Sequence, residues 1–473
     1  MTPQTLKPLS TALLALAMAG CVQAPPPGSS TETWIAPKEA RKPDTVWREV
    51  RAQKTDLSQP LALPAIADIA LQNNAATKKA WHDARAASEQ VRYAQGYFMP
   101  SITAGAGLTR LTTAAHPDSS DQNSLTYGPG LQLSYLVCNF GGGRSAAVEQ
   151  ALQTVYAANF TFNRAIQDTL LAAQTAYYNV ISAQTAIEAS ETNALDAKAI
   201  LDAAVSRRDA GLGVDLDVLQ AQTGHDQALF TLASAQGQLK IAQGILAQTL
   251  GLPADTPVSL TPPETALPTP VSKQDMKTLI DEALARRPDL SALRSTLSAR
   301  EAAIRVAKAS RWPSLYASGS ANRNYYELYG LSNRASAMDD WTYTGGLSLK
   351  WNLFDGFQTL STTRTAEAQA DSMRATLKQA ELGASAEIWS RFQAYETALR
   401  KYEFSEAALK SAAAARQAAM DSYTSGVKGI LDLLSAENQL TDARSRQIAV
   451  RQEVFTTLAT LAHATGLIEK GKN

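Results

Sequence analysis

The chain carries the same text twice. Leu216-Asp217-Val218-Leu219-Gln220-Ala221-Gln222 returns 215 residues later as Leu431-Asp432-Leu433-Leu434-Ser435-Ala436-Glu437, and Gly211/Gly426 and Gly251-Leu252/Gly466-Leu467 keep the same spacing. Upstream, Val91 to Ser101 pairs with Ile304 to Ser314, and Thr126-Tyr127 and Gly130-Leu131 pair with Thr342-Tyr343 and Gly346-Leu347. A duplicated unit must present compatible faces to its own copy, which limits the folds open to it. The expected boundaries are a first repeat over 61–252, a Pro-rich linker over 253–270, a second repeat over 271–468 and a short tail over 469–473.

Each unit reads helix, strand, loop, strand, long helix, turn, long helix. Leu131, Leu133, Tyr135 and Val137 alternate with Gln132, Ser134 and Leu136, and Leu347, Leu349, Trp351 and Leu353 alternate with Ser348, Lys350 and Asn352. This period of two describes a strand with one apolar and one wet face. Partner strands follow Pro100 and Pro313, and polar stretches over about 111–125 and 324–340 are expected as hairpin loops. No proline interrupts 143–208 or 357–424, so each can form a helix of about 100 Å at 1.5 Å per residue. Leu229, Leu232, Leu239, Leu246 and Leu250 keep heptad register, as do Leu433, Ala436, Leu440, Ala443, Val450, Val454 and Leu461. A 3.5-residue period imposes coiling against a partner helix.

The first twenty residues read as a signal peptide. Lys7 is its only charge, and the apolar run Leu9 to Gly20 is shorter than the roughly 20 residues that span a bilayer. Leu16-Ala17-Met18-Ala19-Gly20-Cys21 resembles a lipobox, with Cys21 as the acylated first residue of the mature chain. A lipidated tether over 21–60, rich in proline at its start, is expected after it. Cys138 is then the remaining cysteine of two, which leaves no disulfide framework. Basic and acidic residues number 44 each, and this balance gives no basic face for a nucleic acid. His82, His116, His225 and His463 are scattered, Gly141-Gly142-Gly143-Arg144 lacks the ending of a phosphate loop, and no nucleophile elbow is present. No catalytic, cofactor or metal site is expected, and the chain is read as a non-enzyme.

Two hairpins supply four strands, whereas a barrel that crosses a membrane needs about eight or more. Open sheet edges are not tolerated in hydrocarbon. Several chains must therefore share one barrel, and three chains, giving twelve strands, can leave an open lumen. The fold class is thus an α+β membrane protein, its β-barrel continued by a long α-helical coiled-coil barrel.

With Arg311-Trp312-Pro313-Ser314-Leu315, Trp351-Asn352-Leu353-Phe354-Asp355-Gly356 and Gly426 to Glu437, the duplicated chain resembles the TolC-like outer-membrane efflux proteins. The lipobox places it with the lipoprotein branch serving tripartite pumps. The resemblance implies a homotrimer with a 12-stranded barrel in outer-membrane lipid above a periplasmic helical tunnel. It also implies a periplasmic adaptor (membrane fusion) protein and an inner-membrane transporter as partners.

The turns at Gly211 and Gly426 would then form the periplasmic tip. Asp217 and Asp432, just inside the following helices, fit the positive dipole end there; under threefold closure they would also form acidic rings. By resemblance, Asp432 matches a gating aspartate, Lys428 the basic lock residue and Tyr423 a tyrosine of the same network. Ser435 replaces the family's second gating acid, which Asp215 or Asp217 could supply. Gly211-Leu212 and Gly426-Val427 resemble adaptor docking tips, or are plain turns. The leading expectation is a passive exit duct for drugs or other small solutes. A type I protein-secretion duct is its near neighbour, and a lipid-anchored trimeric coiled-coil scaffold or adhesin is the alternative from another class.

Overall fold

The computed structural model describes residues 59–113, 122–262, 276–329 and 336–467. The signal peptide, Cys21, the tether up to residue 58, the linker over 263–270 and the tail lie outside them.

Eight helices and four strands are described. The first copy holds α1 (Leu63–Asn73), α2 (Ala75–Gly96), β1 (Ser101–Thr113), β2 (Gln122–Asn139), α3 (Gly143–Asp209) and α4 (Asp215–Thr249). The second holds α5 (Met276–Arg286), α6 (Pro288–Ala309), β3 (Ser314–Tyr329), β4 (Ser336–Lys350), α7 (Gln358–Thr424) and α8 (Ile430–Ala464). Two helices, rather than the expected one, precede each hairpin. Asn74 breaks the first pair because its side chain caps α2, accepting from the Ala76 N–H at 2.7 Å. Pro288 breaks the second by holding Arg287 in extended backbone. The long helices α3 and α7 have 67 residues each, about 100 Å.

The strands form one antiparallel sheet in the order β1-β2-β3-β4. They run further than their side-chain pattern, since β1 reaches Thr113 and β2 begins at Gln122, while β3 reaches Tyr329 and β4 begins at Ser336. The hairpin loops are accordingly shorter than expected. Backbone pairing satisfies N–H and C=O groups whatever the side chain, so the ladder continues beyond the apolar alternation.

One sheet face is apolar. Cross-strand rows place Ile102 with Leu133, Leu315 with Leu349, and Ala317 with Leu347. Aromatic groups border this face at both ends. Above lie Tyr127 stacked on Tyr325 (5.3 Å), Trp341 stacked on Tyr343 (6.0 Å), and Arg323 over Tyr325 and Trp341. Below, Trp312, Trp351, Phe140 and Phe354 are all more than half exposed, and Trp351 donates to the Arg311 carbonyl at 3.1 Å. From Leu315 to Arg323 is about 26 Å of strand, or about 20 Å along the axis at barrel tilt, close to the apolar band of outer-membrane barrels. The opposite face is polar, with Ser320 and Thr344 hydrogen-bonded at 2.7 Å beside Asn322 and Asn324, and it also carries Asp340 and Lys350. Among the described residues, both outer strands, β1 and β4, keep one edge unpaired. None of the described helices is long and apolar enough to cross a membrane.

The main core lies where α1, α3 and α4 meet, around Ile66, Tyr177, Val180, Leu246 and Leu250. The start of the inter-repeat linker joins it. Val258 and Leu260 are buried there, and the Tyr177 hydroxyl donates to the Thr261 carbonyl. A second junction centres on Arg287, whose side chain is 5% exposed. It binds Asp289 at 2.7 Å, Glu387 at 2.8 Å and the Ala464 carbonyl at 3.0 Å, tying α6, α7 and the end of α8 together.

Candidate functional site: the helix-hairpin tips

The α3–α4 and α7–α8 turns close in the same way. Leu212 N–H donates back to the Arg207 carbonyl at 2.8 Å, and Val427 N–H to the Ser422 carbonyl at 2.9 Å. This closure needs a left-handed residue, supplied by Gly211 (φ +76°) and Gly426 (φ +79°). The turns leave Leu212 and Val427 70% and 78% exposed. Gly211, Leu212, Gly426 and Val427 thus form an accessible end to the helices.

The two tips are packed on one another. Ile200, Leu201 and Ala204 of α3, Ala221 of α4, Tyr423 of α7, and Ile430 and Leu433 of α8 share one apolar cluster. Tyr423 is 2% exposed, and its hydroxyl is buried without a hydrogen-bond partner among the described residues. Burial, and then the nearby Asp217 carboxylate, push this hydroxyl above its ordinary pKa against the opposing charge of Arg207. Tyr423 and Asp217 therefore lie close enough across the two copies to influence one another. Asp215 lies 4.0 Å from Arg208. Lys428 and Asp432 are exposed, and neither side chain has a hydrogen bond or ion pair among the described residues.

The basic group that joins the tips within the chain is one that sequence reasoning missed. Arg207 donates to the Tyr423 carbonyl at 2.8 Å, the Thr424 carbonyl at 3.2 Å and the Leu212 carbonyl at 3.3 Å. Its guanidinium lies 5.0 Å over the Tyr423 ring. One planar fork holds the last carbonyls of α7 and the turn of the other hairpin, a geometry that arginine can supply and a single ammonium cannot. The only signal in the sequence was a pair of arginines in the last turn of α3. That is also what an ordinary helix C-terminus favours.

Higher in the helices, a cluster of charges joins the copies again. Asp196 of α3 takes Arg416 of α7 at 3.3 Å on one oxygen and Arg444 of α8 at 2.8 Å on the other. Arg416 also binds Glu437 at 2.9 Å. Burial and then Asp196 push the Glu437 carboxyl above its usual range, with Arg416 and Arg444 opposing.

Comparisons with known proteins agree with this architecture. A family model described as outer membrane efflux protein matches residues 66–252 and 279–467, one match on each copy. Protein CyaE of Bordetella pertussis is 28% identical over 87% of the chain and 85% of its own length. The pyoverdine export outer membrane protein OpmQ of Pseudomonas putida is 24% identical over 94% and 92%. Among solved structures, the outer membrane protein VceC of Vibrio cholerae superposes with a TM-score of 0.71 at 21% identity, covering 85% of this chain and 96% of its own.

Proposed function

The chain belongs to the outer membrane efflux protein family, and on that premise we propose that its packed hairpin tips are the periplasmic gate and docking end of a trimeric exit duct. The protein is an outer-membrane channel of an efflux system, reaching into the periplasm, and not an enzyme. The observation that carries the trimeric reading is the sheet, with four strands and an open edge on each side. Within hydrocarbon those edges require neighbouring copies, and three copies supply a twelve-stranded barrel. The helices support the same reading. Leu229, Phe230, Ile241 and Ile245 of α4 are exposed in the single chain, as expected where further subunits complete a coiled wall.

At a threefold mouth, Asp432, Asp217 and Asp215 bring like charges together, and Lys428 is free to answer them from a neighbouring subunit. Carboxylates about 5–6 Å apart repel by a few kcal/mol at an effective dielectric near 20, so a closed mouth needs such cations. Lys428→Ala combined with Asp432→Ala is expected to raise single-channel conductance in planar bilayers. Unchanged conductance in the double variant removes the gate from these residues.

The tips Gly211-Leu212 and Gly426-Val427 fit a periplasmic adaptor, which in turn joins an inner-membrane transporter that powers export and selects the cargo. A bulky charge placed at Gly426 is expected to abolish drug export in cells while trimers still assemble; retained export defeats the docking reading. Cys21 is proposed as the lipid anchor. Metabolic labelling with palmitate is expected to mark the wild-type chain and not Cys21→Ser, and equal labelling of both eliminates that assignment.

A further inference from the structure

Beyond the tips, we infer that Asp196 is a positioning residue of the entrance, a partly buried latch that fastens the second hairpin to the first. The inference rests on the gate reading above. Asp196 lies eleven residues before Arg207 on α3, about 16 Å higher along the helix. Its two oxygens are divided between two helices, one taking Arg416 of α7 and the other Arg444 of α8. Arg444 is held on α3 a second time by Asn193. Glu437 completes the set by binding Arg416, so two acids and two arginines balance. The side chains are 8–24% exposed, which sets this cluster apart from a solvated surface pair.

Its surroundings distinguish a latch from a permanent strut. A groove of about 340 Å³ runs beside the cluster, between α3, α4 and α8. Glu437 is the one charged group lining it; Gln220, Thr223 and Gln227 of α4 and Asn438 and Thr441 of α8 give it neutral polar walls. If α8 shifts toward this space, it meets no opposing charge. The separated ions are then hydrated at once, which lowers the cost of parting them. Asp196 thus sits on a pair of hairpins with two accessible arrangements, closed with the ions together and open with them wet. The tip residues and Asp196 would bias the same equilibrium from two levels.

The test uses the full-length acylated protein, with trimer content checked by semi-native electrophoresis. Asp196→Asn keeps the shape and removes the charge. It is expected to raise the open fraction in planar bilayers about tenfold, less than a fully buried pair would give because Asp196 and its arginines are 13–24% exposed and partly hydrated. Asp196→Glu should return conductance toward the wild-type value. If Asp196→Asn does not assemble, Arg444→Gln, which leaves Asp196 paired with Arg416, should show a smaller increase of the same sign. Assembled Asp196→Asn or Arg444→Gln trimers with wild-type conductance overturn the latch. When the Lys428→Ala/Asp432→Ala channel still opens beside them, the gate reading survives alone; when neither opens, both fall.

Discussion

Arg207→Ala is expected to leave the trimer assembled and its mouth open. The substitution removes hydrogen bonds to three carbonyls and the stack on Tyr423. Charge-assisted hydrogen bonds to a partly buried site contribute about 1.5–3 kcal/mol, and the cation over the ring about 0.5–1 kcal/mol. A closed state weakened by about 3 kcal/mol shifts an open–closed ratio on the order of a hundredfold. Single-channel conductance should rise, and cells should become sensitive to large antibiotics that wild-type cells exclude. Arg207→Lys should behave nearly like alanine, because one ammonium cannot reach both hairpins as the fork does. Full closure in the lysine variant would show that charge alone suffices there.

Arg287→Met should act on stability instead. Methionine keeps the apolar stem but leaves Asp289 and Glu387 beside each other without their shared cation, and the Ala464 carbonyl without its donor. Removing one partner from a buried pair costs about 3–5 kcal/mol, enough to lower the melting temperature of the detergent-solubilised protein by several degrees. The pH dependence should change with it. Burial would raise the Asp289 carboxyl, but Arg287 and then Arg164 hold it below its ordinary value. A depressed carboxyl stabilises the fold above its unfolded pKa, and that contribution is lost as pH falls through the lower folded value. The wild-type protein should therefore lose more stability on acidification than Arg287→Met does. Equal slopes for the two would assign the acid sensitivity to other groups.

Much of the architecture was legible because it is periodic. The alternation through Leu131 to Val137 announced a two-faced strand, and the heptads of Leu433 to Leu461 announced a packed seam. Leu433, Leu440, Val454 and Leu461 are indeed buried. The glycines at 211 and 426 announced the turns, since the closing residue must be left-handed. Strand ends were misjudged because backbone pairing does not depend on side-chain polarity. The break at Asn74 was missed because its capping role involves a single local hydrogen bond. At the tips, the resemblance singled out Asp432, Lys428 and Tyr423; in the single chain Tyr423 is buried in the junction while Lys428 and Asp432 stay exposed. The resemblance could not single out Arg207, whose three acceptors are backbone carbonyls and carry no sequence signature.

By itself, the sequence determined the duplication, the strand and helix periods and the four-strand arithmetic, because each is a local pattern repeated at fixed spacing. Only the tertiary structure decided which charges meet. Asp196, Arg416, Arg444 and Glu437 come from three helices, separated by up to 248 residues. Their pairing depends on the rotation of each long helix about its axis. Apolar packing along the whole coil sets that rotation, and no short stretch of residues records it.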